Sequence, residues 1–259
     1  MNTHPIGIFD SGIGGTSVFK EIHALLPNEN SIYLADSKHA PYGNKSSQEI
    51  IALSIKNTEY LLSKNCKLIV VACNTATTNA ISYLRSTYNV PFIGIEPAIK
   101  PAALNTQTKS VGILATKGTL ASDLFHKTTD LYSNGIKVIE QIGEGLVPLI
   151  EEGKVSSNEM KALLRVYLKP MIDVNIDYLV LGCTHYTYLM PLLLDILPKH
   201  VKIIDSGLAV AKQTKEILDQ NQLINSTSKT PENLFYTNTN ITVLNNILEG
   251  RFKVELLDF

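Results

Sequence analysis

Leu68-Ile69-Val70-Val71-Ala72-Cys73-Asn74-Thr75-Ala76-Thr77 and Tyr178-Leu179-Val180-Leu181-Gly182-Cys183-Thr184-His185-Tyr186-Thr187 share one design. Each is a short apolar run that delivers a cysteine and then residues able to start a helix. Such a run reads as a buried parallel strand. In open α/β sheets, ligands bind at the C-terminal ends of the strands. A helix N-terminus at the same place is expected to favour a thiolate. Two such thiols, one in each half of the chain, predict a site with an acid/base sulfur on either side of a substrate.

Working outward, the same kind of run recurs along the chain. Strands are expected at Ile6–Phe9, Ser31–Ala35, Leu68–Ala72, Phe92–Ile95, Val111–Ala115, Lys137–Ile142, Tyr178–Leu181 and Lys202–Ile204, with weaker signals at Leu234–Tyr236 and Val254–Leu257. Most are unbroken rather than alternating, as in parallel sheets covered on both faces. Helical stretches lie between them. Ser46-x-x-Glu49 and Ser156-x-x-Glu159 fit a capping box, and Asn74/Thr75 and Thr184 are candidate caps just past the cysteines. The βαβα alternation predicts an α/β fold.

The chain also runs twice through a similar unit. Gly7-Ile8-Phe9-Asp10-Ser11-Gly12 resembles Gly112-Ile113-Leu114-Ala115-Thr116-Lys117-Gly118, and the cysteine segments recur at a similar offset. The repeat predicts two similar open parallel-sheet domains, related by pseudo-symmetry, with the site in the cleft between them. Crossings are expected near Glu96-Pro97 and Asp205–Gly207. The first domain is then residues 1–96 plus 207–259, and the second is 97–206. The polar stretch Asn221–Asn233 reads as a surface loop.

Composition excludes several classes. The 259 residues carry a formal net charge of −1, with 44% hydrophobic and 18% charged residues, an ordinary globular balance. No basic stripe points to nucleic acid, and no polybasic cluster or run of about 20 apolar residues points to a membrane. Met1 to Pro5 is too short and polar for a signal peptide. Three cysteines, Cys66, Cys73 and Cys183, form no disulfide framework and suit a reducing, cytoplasmic setting. Neither Cys-x-x-Cys nor His-x-x-x-His occurs, so no metal site is expected.

Several segments carry potential chemistry. Asp10-Ser11-Gly12-Ile13-Gly14-Gly15-Thr16-Ser17 follows a strand and opens a helix; its N–H groups suit a carboxylate, or it is simply a tight turn. It is not a dinucleotide fingerprint, because Ser17 stands at the third glycine position. Ala35-Asp36-Ser37-Lys38-His39-Ala40-Pro41-Tyr42-Gly43-Asn44 offers amide donors or is a plain βα loop. Cys66 reads as a buried small hydrophobe. His185 is placed to tune a thiol or move a proton, although a lone histidine is often structural. Asp10, Thr116 and Thr119 are candidate polar contacts or caps.

Together these segments resemble the cofactor-independent glutamate racemases. The resemblance rests on Gly7-Ile-Phe-Asp-Ser-Gly-Ile-Gly-Gly, Ala35-Asp-Ser-x-x-x-Pro41-Tyr-Gly, Ala72-Cys-Asn-Thr-Ala-Thr, Gly94-Ile-Glu-Pro and Leu181-Gly-Cys-Thr-His-Tyr, in the family's order over nearly the whole length. It implies free glutamate as substrate, no cofactor (no pyridoxal phosphate, metal or nucleotide), a homodimer, and supply of D-glutamate for peptidoglycan. Carried over by position, Cys73 and Cys183 are the catalytic pair, Cys73 acting on D-glutamate and Cys183 on L-glutamate. Asp10 and His185 would assist, with Glu151 a further partner and Glu152 adjacent to it. Asp10, Ser11, Pro41, Tyr42, Gly43, Cys73, Asn74, Thr75, Thr116, Thr119, Cys183, Thr184 and His185 would surround the substrate. Thr187 departs from the pattern, since the family often has Pro there; little functional change is expected. Family members that take a cell-wall precursor as activator use an N-terminal extension, so that mode is not expected here. Aspartate racemisation is the nearest alternative. A non-catalytic two-lobed amino-acid binder is another, disfavoured because binding a dicarboxylate needs no thiols.

Overall fold

The computed structural model describes residues 3–227 and 229–259. Met1 and Asn2 of the N-terminal stretch and Ser228 of the Asn221–Asn233 stretch lie outside the described residues. The strands are β1 (Ile6–Asp10), β2 (Ser31–Ala35), β3 (Leu68–Val71), β4 (Phe92–Gly94), β5 (Ser110–Ala115), β6 (Lys137–Ile142), β7 (Tyr178–Gly182), β8 (Lys202–Ile204), β9 (Asn233–Thr237) and β10 (Lys253–Leu256). The helices between them are α1 (Thr16–Leu25), α2 (Ser47–Ser63), α3 (Asn74–Thr87), α4 (Ile99–Asn105), α5 (Lys117–Leu120), α6 (Asp123–Tyr132), α7 (Leu146–Glu151), α8 (Asn158–Asp173), α9 (Met190–Ile196), α10 (Gly207–Gln220) and α11 (Ile241–Ile247).

Two parallel sheets result. The first has strand order β10-β9-β2-β1-β3-β4 and the second β6-β5-β7-β8. The blocks β2-β1-β3-β4 and β6-β5-β7-β8 are the same arrangement, so the sequence repeat is a structural one. β3 and β7 occupy equivalent places, which puts Cys73 and Cys183 at equivalent strand ends. β1, β2, β3, β5 and β7 are buried along their whole length, as their unbroken apolar runs require. Register is direct: Phe9 pairs with both Leu34 and Val71, and Ile113 pairs with Val180. The chain order reverses at β1 and at β5, making a switch point in each sheet.

α1 buries Val18, Phe19 and Ile22, and α10, following β8, packs back against α1. One continuous apolar cluster joins the two sheets' layers through Ile13, Leu114, Leu146, Ile150, Leu181 and Tyr186. The glutamate-racemase-like segments therefore meet across a packed junction rather than an open groove.

Local signals were met unevenly. Ser46 and Glu49 form a reciprocal capping box on α2. The second box does not form: Ser157, not Ser156, caps α8, its hydroxyl accepting from Met160 N. With the cap at Ser157 the third helical position is Met160, so Glu159 has no reciprocal role. Asn74 and Thr75 do not cap α3; Cys73 does, its sulfur accepting from Ala76 N at 3.4 Å. Thr184 likewise is no cap but the first residue of a 3₁₀ turn, Thr184–Leu189. The stretch after α10 is not a plain surface loop. Asn225 N donates to Glu29 (2.7 Å), and Lys67 bridges Glu29 (2.5 Å) and the Leu223 carbonyl (2.8 Å). These buried groups tie the returning tail beneath the first sheet, at the strand ends opposite the cysteines.

Candidate active site

The C-terminal ends of β1 and β3 face those of β5 and β7. Asp10 ends β1 with no exposed surface; its Oδ2 accepts from Gly15 N (2.7 Å) and Thr184 Oγ1 (3.4 Å). Cys73 lies beside it, with its sulfur 3.6 Å from Ser11 Oγ. From the second sheet, Cys183 Sγ lies 3.8 Å from His185 Nδ1, and the same nitrogen is 3.9 Å from Asp10 Oδ2. Both sulfurs line one chamber with Ser11, Pro41, Tyr42, Gly43, Asn74, Thr75, Thr116, Thr184 and His185.

The two thiols differ in surroundings. Burial, and then the negative Asp10, push the Cys73 thiol well above its ordinary value, although Ala76 N–H and Ser11 oppose this. The expected pull of the helix N-terminus toward a thiolate is thus opposed at Cys73 by the larger effect of desolvation. Burial also raises Asp10, against the pull of His185. Burial works against charge on His185, but the contacts with Cys183, Glu151 and Asp10 together hold the imidazole well above its usual range. The imidazole beside Cys183 is thus held toward its charged form, whereas burial pushes Asp10, beside Cys73, toward its neutral form.

Glu151, at the end of α7, is built into this site. Its Oε1 accepts from His185 Nε2 (2.5 Å) and Ile13 N (2.8 Å), and its Oε2 accepts from Ser37 Oγ (2.7 Å). Burial alone would raise Glu151, yet His185 and these two donors hold it below the usual carboxylate range. Glu152 is exposed and pairs with Lys154 (2.6 Å), which separates the two neighbours. The glycine-rich loop does hold carboxylates, and they are the protein's own: Glu151 on Ile13 N and Asp10 on Gly15 N. A Cβ at Gly12 would fall 1.9 Å from Glu151 Oε1, and one at Gly14 would fall 2.3 Å from His185 Nδ1. These glycines are required by the close approach of the second sheet's side chains.

The loop after β2 is fixed by Asp36. Its buried carboxylate accepts from Tyr42 OH (2.5 Å) and Asn238 Nδ2 (2.5 Å) and meets His39 Nδ1 (2.7 Å). Asn57 Nδ2 donates to Tyr42 OH (3.1 Å). This holds Pro41, Tyr42 and Gly43 at the chamber, where the Gly43 backbone abuts Thr116. Across the same seam Thr75 Oγ1 lies 2.7 Å from Thr116 Oγ1 and 3.2 Å from Thr119 Oγ1. Thr116 also caps α5, its hydroxyl accepting from Thr119 N (3.2 Å), as the capping reading expects. Thr187 Oγ1 donates to the Thr184 carbonyl (2.8 Å) within the 3₁₀ turn, where a proline would have no such donor.

The residues expected from the sequence thus converge. Sequence reading missed the roles of Asp36 and Ser37, and the short Thr16–Tyr188 hydroxyl contact that also crosses the junction. The chamber encloses only about 10 Å³, far below an ordinary ligand pocket of several hundred Å³. Cavities of about 260 and 320 Å³ flank the Pro41–Val147–Pro148 contact outside it. A cavity of about 680 Å³ lies by β4 and α10, away from both sulfurs. Two sulfurs from two sheets, beside one acid and one imidazole, can exchange a proton with a carbon held between them.

Comparison with known proteins bears on this chemistry. The sequence model of the Asp/Glu/Hydantoin racemase family matches residues 6–214. A glutamate racemase of Herpetosiphon aurantiacus is 44% identical over 225 residues, covering 87% of this chain and 89% of that protein. The structure of Escherichia coli glutamate racemase in complex with L-glutamate and the activator UDP-MurNAc-ala has a TM-score of 0.87 at 32% identity, covering 98% of both chains. The structure of the Francisella tularensis glutamate racemase in complex with D-glutamate has a TM-score of 0.86 at 31% identity, covering 100% of this chain and 98% of that one.

Proposed function

The chain belongs to the Asp/Glu/Hydantoin racemase family, and on that premise we propose that it interconverts L- and D-glutamate by proton transfer between two cysteines. The observation that carries this reading is the pair of equivalent strand ends, which places one thiol from each sheet on a single chamber. The α-proton of an amino acid is weakly acidic, and the site must stabilise a carbanion by placed charges and exclusion of water.

In the L-to-D direction, the Cys183 thiolate takes the α-proton of L-glutamate. The electron pair of the C–H bond stays on the α-carbon and its carboxylate. The Cys73 S–H then delivers its proton to the opposite face, leaving D-glutamate, a Cys183 thiol and a Cys73 thiolate. The D-to-L direction is the reverse. Two features support this starting arrangement: burial and Asp10 push the Cys73 thiol up, toward its protonated form, and His185 Nδ1 lies 3.8 Å from Cys183 Sγ. Asp10 suits the α-ammonium group, while Ser11, Asn74, Thr75, Thr184, Tyr42, Gly43, Thr116 and Thr119 supply polar contacts for the two carboxylates. His185 steadies Cys183, and Glu151 steadies His185.

Domain boundaries near 96/97 and 206/207 fit the passage of the chain from β4 to β5 and from β8 to α10. Among the described residues no helix is long and apolar enough to cross a membrane. Family membership supports action as a cytoplasmic homodimer that supplies D-glutamate for peptidoglycan. The test is incubation with L-glutamate in D₂O without added cofactor, with L-aspartate in parallel. Loss of circular dichroism together with deuterium at the α-carbon of glutamate is expected. Exchange on aspartate alone would overturn the substrate, and exchange on neither would overturn the enzyme.

A further inference from the structure

We propose that Ser37 is a positioning residue for this reaction: its hydroxyl, donated across the junction to Glu151, orients the carboxylate that holds His185 against Cys183. The inference rests on the two-thiol reading above and extends it to a residue outside the chamber lining.

The geometry is a chain of three contacts from one sheet's loop to the other sheet's thiol. Ser37 Oγ donates to Glu151 Oε2 at 2.7 Å, Glu151 Oε1 meets His185 Nε2 at 2.5 Å, and His185 Nδ1 lies 3.8 Å from Cys183 Sγ. Glu151 arrives on α7, a six-residue helix bracketed by left-handed Gly145 and Gly153, so its own backbone offers little to fix the carboxylate's rotation. Two donors do so instead, and both come from the first sheet's loops: Ile13 N and Ser37 Oγ. Oε1 is shared by His185 and Ile13, and Ser37 holds Oε2. Ser37 is itself set by its neighbour Asp36, which Tyr42, His39 and Asn238 anchor. The titratable groups facing His185 are Glu151, Asp10 and Cys183, and those facing Glu151 include His185, Asp10 and Tyr33. The donors and the acceptor sit on opposite sides of the junction, so the contact depends on how the two sides pack against each other.

The test exploits a property of racemisation. The enantiomers have equal energy, so any variant must lose kcat/KM equally in both directions. Isotope effects carry the asymmetry instead. If Ser37 acts through His185 on Cys183, Ser37→Ala raises the barrier of the step at Cys183 alone. The kcat/KM falls on the order of tenfold, as for loss of a hydrogen bond to a charged group. The α-deuterium effect grows with L-glutamate, whose proton Cys183 removes, and shrinks with D-glutamate, whose proton Cys73 removes. Ser37→Thr keeps the hydroxyl, and its methyl has room in the 320 Å³ cavity that Ser37 lines, so it restores activity and isotope effects. In a Glu151→Gln background, Ser37→Ala costs much less than in the wild type.

An unchanged kcat/KM, isotope effects that move together, no rescue by Ser37→Thr, or an equal loss in the Glu151→Gln background would each overturn the proposal. Wild-type protein that exchanges no α-proton would overturn the two-thiol reading itself. Active wild type with an indifferent Ser37→Ala overturns the role of Ser37 alone.

Discussion

Gly14→Ala should cripple the enzyme through the junction, without altering either thiol. The added Cβ would lie 2.3 Å from His185 Nδ1 and 2.6 Å from the His185 backbone nitrogen. Ordinary contact begins near 3.4 Å, so the ring must withdraw by about 3.4 − 2.3 = 1.1 Å. A rotamer change cannot relieve the second clash, because it is with backbone. The retreat carries His185 and the adjacent Cys183 away from Asp10 and the opposing thiol. A misplacement of about 1 Å costs on the order of a hundredfold in rate. Forced overpacking of this kind also destabilises by about 1–3 kcal/mol, a few degrees in Tm for a chain of this size. Racemisation followed by circular dichroism gives the first quantity and a thermal melt the second. Near wild-type kcat/KM in Gly14→Ala would refute the claim that the glycine-rich loop exists to admit His185.

Further outcomes follow from the same geometry. Cys73→Ser and Cys183→Ser each abolish racemisation, with kcat/KM lost equally from L- and D-glutamate; full turnover in either variant would sink the two-base scheme. Glu151 is held below its unfolded range, so its contribution to stability is present above about pH 4.3 and is lost as pH falls through its folded pKa. His185 is held above its unfolded range, so its contribution is complete below about pH 6.5 and is lost as pH rises through its folded pKa. Glu151→Gln removes the first dependence and brings the alkaline loss to lower pH; Tm-against-pH curves that superimpose would contradict this. Lys67→Met strands the buried Glu29 carboxylate and should cost about 3–5 kcal/mol, roughly 10 °C in Tm. Its kcat at 25 °C should stay near wild type, because the pair sits at the strand ends opposite the thiols; melting and turnover on one sample check both halves.

What the sequence displayed was whatever depends on short range. Among the described residues the strands lie within a residue or two of where the apolar runs place them, most firmly at β1, β2, β3, β5 and β7, where full burial leaves no alternative pattern to compete. The paired cysteines were visible because the repeat is a structural one. Caps were read less well: Ser156 and Ser157 both qualify as a start for α8, and the choice depends on where the preceding turn ends. Thr184 looked like a cap because the 3₁₀ geometry of residues 184–189 leaves no mark in residue type. The burial of Asn225 was hidden because a polar stretch reads as solvated until Glu29 and Lys67 are brought beneath it. The glycine-rich loop suggested a carboxylate, but its occupant, Glu151, lies 138 residues beyond Ile13 and arrives only through the packing of two sheets. Ser37 was unreadable for the same reason.

The order in which the strands leave the ribosome gives the two sheets different histories. The strands of the second, β5 to β8, are contiguous between Ser110 and Ile204 and can assemble as soon as they emerge. The first sheet gains β9 and β10 only after the whole second sheet has been made, when Ser31 meets Asn233, 202 residues away. Cys183 is therefore seated in a finished sheet while the sheet carrying Cys73 still shows the flank of β2 to solvent. A nascent chain passes through a stage with one half of its proton-transfer pair in place and an open strand edge beside the other. That edge is where a chaperone, or a misplaced neighbour, would first find the chain.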